Sequence, residues 1–227
     1  MSQIEIYNQD CNEFMTHCKD KQFDLAIVDP PYFDGPNKLG YFGASISSRG
    51  VVRNGYKKTC DWEVPGQEYF DELIRVSKHQ IVWGINYFNI KNIGPGRIIW
   101  DKVNQKSSFS DCEIAYCSMH DSVRLFRYMW NGMLQGKSIA EGATPRGDKK
   151  LNEKRIHPTQ KPVLLYDWLL MKYAKPGMTI LDTHLGSGSI CISAHKSGIN
   201  LIGCEKTEQY FLDAKSRLEQ FRNQMSF

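Results

Sequence analysis

Apolar residues fall into short runs rich in β-branched and aromatic side chains: Ile4–Tyr7, Phe23–Val28, Gln80–Trp83, Arg97–Trp100, Glu113–Cys117, Val123–Tyr128, Thr179–Leu181 and Leu201–Cys204. Such runs predict strands. Several are nearly unbroken by polar residues, the pattern of strands covered on both faces. Helical spacing lies between them. Gln67–Ser77 places Tyr69, Phe70, Leu73, Ile74 and Ser77 at helical intervals, and Pro162–Ala174 opens on proline and carries Leu164, Leu165, Trp168 and Leu169 on one face. Ser189–Ser197 stops at Gly198, and Thr207–Asn223 forms a long amphipathic terminal helix. Strands alternating with helices predict an α/β fold with a mostly parallel sheet of seven to eight strands. Glu113–Cys117 and Val123–Tyr128, joined through Met119-His120-Asp121, are predicted to be antiparallel.

Composition narrows the class. The chain has 227 residues, 41% hydrophobic and 24% charged, which suits one domain spanning 1–227. No apolar run approaches the roughly 20 residues that cross a bilayer. Met1–Asp10 is polar and strand-like, unlike a signal peptide, so a cytoplasmic location is expected. The seven cysteines form no C-x-x-C pair, which argues against a structural zinc site and predicts reduced thiols. No metal is expected.

The net charge of +4 is unevenly spread. Between Phe33 and Cys60, Lys38, Arg49, Arg53, Lys57 and Lys58 face Asp34 alone. Between Asn131 and Gln160, Lys137, Arg146, Lys149, Lys150, Lys154 and Arg155 outweigh Glu141, Asp148 and Glu153. Both stretches are rich in Gly, Ser and Asn. They read as basic loops, about 33–60 and 131–160, which are either solvated surface or a grip on a phosphate backbone.

Two constellations carry chemistry. Thr179-Ile180-Leu181-Asp182-Thr183-His184-Leu185-Gly186-Ser187-Gly188-Ser189 reads as strand, glycine turn and helix start. The next strand ends at Glu205, placed to accept hydrogen bonds from ribose hydroxyls. The third glycine of a dinucleotide fingerprint and a Gly-Lys-Ser/Thr phosphate loop are both missing, which favours a nucleoside ligand without polyphosphate. S-adenosylmethionine fits, with Asp182 on its α-ammonium, Glu205 on its ribose and Asp10, at the end of the first strand, near its adenine amine. A plain cap or loop role is the competing reading for Asp10. The second constellation is Phe23–Val28 running into Asp29-Pro30-Pro31-Tyr32. Two prolines hold the chain extended as it leaves the sheet. Asp29 and the Pro30 carbonyl can each accept one N–H of an exocyclic amine, and Tyr32 can stack on an extruded base.

Asp29-Pro30-Pro31-Tyr32, then His157-Pro158-Thr159-Gln160-Lys161-Pro162, then Asp182-Thr183-His184-Leu185-Gly186-Ser187-Gly188 resembles the N4/N6 amino-methyltransferases of DNA. With the catalytic motif first and the cofactor motif last, it is similar to their circularly permuted β group. The resemblance covers nearly the whole chain. It implies a Rossmann-like methyltransferase fold with permuted connectivity, the first strand lying where it would follow the C-terminal helix. It implies methyl transfer from S-adenosylmethionine to adenine N6 in DNA. Asp29, Pro30, Pro31 and Tyr32 would be catalytic. Asp10, Cys11, Lys161, Asp182, His184, Gly186, Ser187, Gly188 and Glu205 would line the cofactor, and Lys38, Arg49, Arg53, Lys57 and Lys58 would contact DNA. His157 and Thr159 read either as functional or as a packed polar residue and a turn. Thr183 and His184 depart from the family's proline and phenylalanine. Implied partners are DNA, a second copy of the chain and a cognate restriction endonuclease. Rival readings are cytosine-N4 methylation, where serine is more usual than Asp29, RNA or protein-amide methylation, and a catalytically silent nucleic-acid-binding module.

Overall fold

The computed structural model describes residues 2–33, 45–46, 52–53, 62–104, 110–131 and 134–224. Eight strands form one sheet: β1 (Ile4–Tyr7), β2 (Phe23–Val28), β3 (Ser77–Trp83), β4 (Arg97–Asp101), β5 (Cys112–Cys117), β6 (Val123–Arg127), β7 (Thr179–Asp182) and β8 (Asn200–Cys204). Their spatial order is β1-β8-β7-β2-β3-β5-β4-β6. Every strand runs one way except β5, which is antiparallel to both β3 and β4. The expected antiparallel pair therefore needs correction. β5 and β6 do run in opposite directions, but β4 lies between them and pairs with both, so the turn at 118–122 reaches across β4.

The helices are α1 (Cys11–Thr16), α2 (Gln67–Val76), α3 (Val163–Tyr173), α4 (Ser189–Ser197) and α5 (Glu208–Gln224). Alternate residues of the central strands feed opposite faces. Leu25, Ile27, Ile81 and Trp83 pack with Leu165, Trp168 and Leu169 of α3, Ile190 and Cys191 of α4, and Leu218 of α5. Ala26, Val28 and Val82 pack with Met15 of α1 and with Tyr69, Phe70, Leu73 and Val76 of α2. Burial on both faces is what the unbroken apolar runs required.

Two helix ends explain departures from the pattern. The spacing predicts helix over Gln67–Ser77, but Ser77 is already extended (φ −122°, ψ 145°) and begins β3, although its hydroxyl still donates to the Leu73 carbonyl at 2.5 Å. α1 leaves no periodic pattern because it is barely a turn and a half long. It is fixed by Asp10 at its start and Arg75 at its end. Arg75 donates to the carbonyls of Met15 and Cys18, both at 2.8 Å, and pairs with Asp20 and Glu72.

The topology positions the site. From β2 the chain crosses through α2 to β3, and from β7 it crosses through α4 to β8 on the other side. β7 and β2 are neighbours, with Leu181 opposite Ala26, so the order reverses between them. Ligands of open parallel sheets bind beyond the strand C-termini at such a reversal. Asp29, Asp182 and Glu205 all follow or end strands at that edge. β1 pairs in parallel with β8, Tyr7 opposite Cys204, which brings Asp10 to the same edge and puts the first strand in its expected permuted place.

Candidate active site

A cavity of about 270 Å³ opens at this edge. From the β2 side it is lined by Asp29, Pro30, Pro31 and Tyr32, and from the start of α1 by Asp10 and Cys11. Lys161 enters from the segment before α3, His184, Gly186 and Ser187 from the glycine turn, and Glu205 from the end of β8. The sequence-predicted residues therefore converge, with two exceptions. Asp182 and Gly188 are not among the cavity's lining residues. Gly188, at φ +67°, adopts a backbone that favours glycine, and an added Cβ would come within 2.9 Å of Ala214 Cβ on α5. It thus lets α5 pack closely, a role beside the approach to a ligand that the glycine pattern suggests. Gly186 also has positive φ (+52°). Lys38, Arg49, Lys57 and Lys58 lie outside the described residues, as does the Arg53 side chain.

Acidic groups dominate the β7–β8 end. Glu205 Oε2 accepts from the Gly186 N–H at 2.9 Å, and Oε1 from the Thr207 N–H at 2.8 Å. Burial raises its carboxyl, and those backbone bonds oppose the rise. Each oxygen keeps a further lone pair for a ligand hydroxyl. Asp182 accepts the His184 N–H at 3.0 Å and has no ion pair among the described residues. Burial pushes its carboxyl up to about 8. A buried carboxylate without a cation is unstable in its charged form, so this end is suited to a cationic ligand. Asp10 caps α1, accepting from the Asn12 N–H at 2.8 Å, and pairs with Lys206 at 3.1 Å. It is therefore both a cap and a lining residue. Burial lowers His184 to about 4, leaving its ring neutral at physiological pH. The ring bonds Thr183 Oγ1 at 2.9 Å, and that oxygen also bonds the Tyr69 hydroxyl at 2.6 Å.

At the β2 end, Asp29 is held by a buried ion pair. Its Oδ2 lies 2.5 Å from Lys161 Nζ, while Oδ1 is buried and has no hydrogen-bond partner among the described residues. The resemblance assigns Lys161 to the cofactor. Its ammonium instead sits between Asp29 and Glu113 Oε2, the latter at 2.9 Å.

Aromatic rings form a belt around the opening. Tyr32 stacks on Tyr87 with centroids 4.6 Å apart and planes 5° apart. Phe33 bridges Tyr32 to Trp62, and Trp62 stacks on His157, whose other neighbour is Tyr210 at 4.2 Å. His157 is buried, and burial followed by the charge of Lys161 pushes it down to about 3. It packs as a neutral ring, and its Nδ1 meets the Thr159 N–H at 3.3 Å, the turn suggested for Thr159.

Sequence reasoning missed Glu113, Trp62, Tyr69, Tyr87 and Tyr210. Glu113 carried a readable signal, a lone acid inside an apolar strand. The aromatic residues carried none, because core tyrosine and tryptophan look the same as site residues in sequence.

A family model described as DNA methylase matches residues 128–216. The methylase YubD of Escherichia coli (strain K12) is 38% identical over 216 residues, covering 92% of this chain and 87% of that one. The type II methyltransferase M2.DpnII of Streptococcus pneumoniae is 26% identical over 242 residues, covering 94% and 89%. Among solved structures, the M1.HpyAVI–SAM complex superposes with a TM-score of 0.53 at 20% identity, covering 94% of this chain and 99% of that one. The cytosine-N4-specific PvuII DNA methyltransferase does so with 0.57 at 12% identity, covering 98% and 91%.

Proposed function

Because the chain belongs to the N6/N4 DNA methylase family, we propose that it transfers a methyl group from S-adenosylmethionine to the N6 amine of adenine in DNA. The observation that carries this reading is the unpartnered Asp29 Oδ1. It is a buried acceptor beside the half-buried ring of Tyr32, in the same cavity as Glu205. A buried acceptor without a donor costs about 1–3 kcal/mol, and an amine N–H removes that cost.

The residues present fit the cofactor. Asp182 is short of a cation and Glu205 has lone pairs to spare. When bound, S-adenosylmethionine supplies an electrophilic methyl carbon on a sulfonium. Asp29 Oδ1 and the Pro30 carbonyl hold the two N6 protons, and Tyr32 stacks on the base after it leaves the duplex. The N6 lone pair then forms the N–C bond. The C–S bond breaks with its electrons on sulfur, and one amine proton leaves to solvent. His184 is neutral and not needed as a base.

DNA is gripped by the basic loops, 33–60 and 131–160, including Lys38, Arg49, Arg53, Lys57 and Lys58. In the second loop several charges are already used: Arg146 donates to the Leu151 carbonyl, Lys137 pairs with Glu141, and Arg155 lies 4.4 Å over the Trp130 ring. Lys149, Lys150 and Lys154 are exposed and take the phosphate role. A cognate restriction endonuclease is supported by the type II designation of M2.DpnII, and a homodimer belongs to the same proposal. No described helix is long and apolar enough to cross a membrane.

The test is transfer of labelled methyl from S-adenosylmethionine to duplex DNA, RNA and protein in parallel, followed by nucleoside analysis. N6-methyladenine is the expected product. N4-methylcytosine, or label in RNA or protein alone, overturns the reading.

A further inference from the structure

Four charges of alternating sign run from the reacting end of the cavity, with Lys161 buried and the other three largely covered. Asp29 Oδ2 meets Lys161 Nζ at 2.5 Å, and Lys161 meets Glu113 Oε2 at 2.9 Å. Glu113 Oε1 meets Lys102 Nζ at 2.8 Å. They come from four separate places: the end of β2, the segment before α3, strand β5 and the residue after β4. The Lys161 side chain is only 3% exposed, and its ammonium also lies 5.5 Å over the Trp83 ring.

Lys161 has little freedom to move elsewhere. The Gln160 carbonyl accepts from Trp130 Nε1 at 2.9 Å, and Gln160 Nε2 donates to Glu153 Oε1 at 2.8 Å. On the other side, the Val163 N–H donates to Glu153 Oε2 at 2.9 Å, and Arg217 anchors Glu153 at 2.6 Å. The backbone carrying Lys161 is pinned on both flanks, so the pairing with Asp29 is built into the fold.

We propose that Lys161 is a positioning residue for methyl transfer: it keeps Asp29 an ionised acceptor with Oδ1 turned to the target amine, and Glu113, neutralised from behind by Lys102, holds Lys161 in place. This rests on the proposed amine methylation and adds how its acceptor is kept ready.

A carboxyl in this setting needs such a partner. Burial leaves the Asp29 carboxyl above its ordinary range; Lys161, assisted by Lys102, opposes that rise, while the Glu113 charge adds to it. Tyr32, Tyr69, Tyr166 and Asp182 also face Asp29, and none of them supplies positive charge. Burial works to raise Glu113 as well, but Lys161 and Lys102 hold it at about 2, so Glu113 stays charged and keeps its grip on Lys161. Without Lys161, Asp29 would face the Glu113 charge with only the Lys102 ammonium behind it as an offset, and would take up a proton more readily. A protonated Asp29 has lost part of its acceptor strength and no longer fixes the amine.

The test is single-turnover methylation of duplex DNA from pH 5.5 to 9, with wild type, Lys161→Met, Lys161→Arg and Lys161→Met/Glu113→Gln. S-adenosylmethionine affinity and thermal unfolding are measured in parallel. Lys161→Met is expected to lose roughly 100-fold in rate at pH 7. Its acid limb should rise by about one pH unit or more, since an opposite charge at this range is worth 1–3 units. The deficit therefore shrinks as pH increases, while cofactor affinity stays within a few fold. Lys161→Arg keeps the charge and should hold the limb near its wild-type position at reduced rate. Removing Glu113's charge as well should bring the limb part of the way back. A rate loss equal at every pH, or cofactor affinity falling in step with rate, overturns the proposal. If Lys161→Met fails to unfold cooperatively, Lys161→Arg decides: a limb displaced as far as one pH unit overturns it. A wild type that makes no N6-methyladenine sinks the underlying reading, and the proposal with it.

Discussion

Asp182 offers a direct measurement of what the cofactor end of the cavity lacks. It is 2% exposed, and burial pushes its carboxyl up to about 8. In the unfolded chain an aspartate titrates near 3.9. Between those values the folded state holds a proton that the unfolded state has released. Stability therefore falls as pH rises, by about 1.36 kcal/mol per unit for this one group. From pH 5.5 to 7.5 the loss is about 2.7 kcal/mol. Asp182→Asn removes the titration but keeps an oxygen for the His184 N–H, now at 3.0 Å. All other titrating groups are shared and cancel in the difference between the two proteins. Urea unfolding of the unliganded proteins at both pH values should show the variant gaining about 2.7 kcal/mol on wild type across that interval. Adding S-adenosylmethionine should reverse the ranking. Wild-type affinity should climb with pH to about 8 as Asp182 ionises, then fall as the ligand's α-amine, ordinarily near 7.7–8.0, loses its proton. The variant should bind several-fold more weakly, because the Asp182 charge acts on the ligand's ammonium from beneath the lining, and should lack the acid limb. Parallel pH profiles for the two unliganded proteins would refute the reasoning, since Asp182 would then carry no extra proton and leave no unmet demand for a cation.

Other perturbations test separate parts of the site. Glu153→Ala releases Arg217, Gln160 and the Val163 N–H together, and urea unfolding should show a loss of about 2–3 kcal/mol. Tyr87→Ala removes the ring stacked on Tyr32, a contact worth about 0.5–1.5 kcal/mol, and should raise KM for DNA while cofactor affinity is unchanged. Replacing Lys149, Lys150 and Lys154 together by alanine should weaken DNA binding at all sequences and flatten the salt dependence by a slope of about 3, read by fluorescence anisotropy across a salt series.

The parts of this protein that were legible in sequence share one property: their signal is local. Phe23–Val28 reads as a buried strand because a parallel strand between two helical layers must be apolar on both sides. Asp29-Pro30-Pro31-Tyr32 is legible because two prolines after such a strand restrict the chain to a few conformations as it leaves the sheet. The same holds for the glycine turn and for Glu205 at the tip of the next strand. What failed was pairing. The turn at Met119-His120-Asp121 fits a hairpin equally well, and only the sheet order puts β4 between β5 and β6. The packing of Gly188 was illegible for the same reason, since its neighbour Ala214 lies on a helix that no local pattern connects to it.

Lys161 shows why the distinction matters for function. In sequence it stands twenty-one residues before Asp182 and far from Asp29. Proximity along the chain and the resemblance both favour the cofactor as its partner. The fold gives its ammonium two carboxylate partners at the cavity's edge. A lysine buried to 3% must find carboxylates, and the two that converge on it are Asp29 and Glu113. Glu113 in turn is tolerable in β5 only because Lys161 and Lys102 flank it. A lone acid in an apolar strand is thus a sequence-level sign that cations from elsewhere must arrive. Glu113 and Lys161 predict each other's burial, and the geometry adds the third member, the carboxylate that faces the target amine.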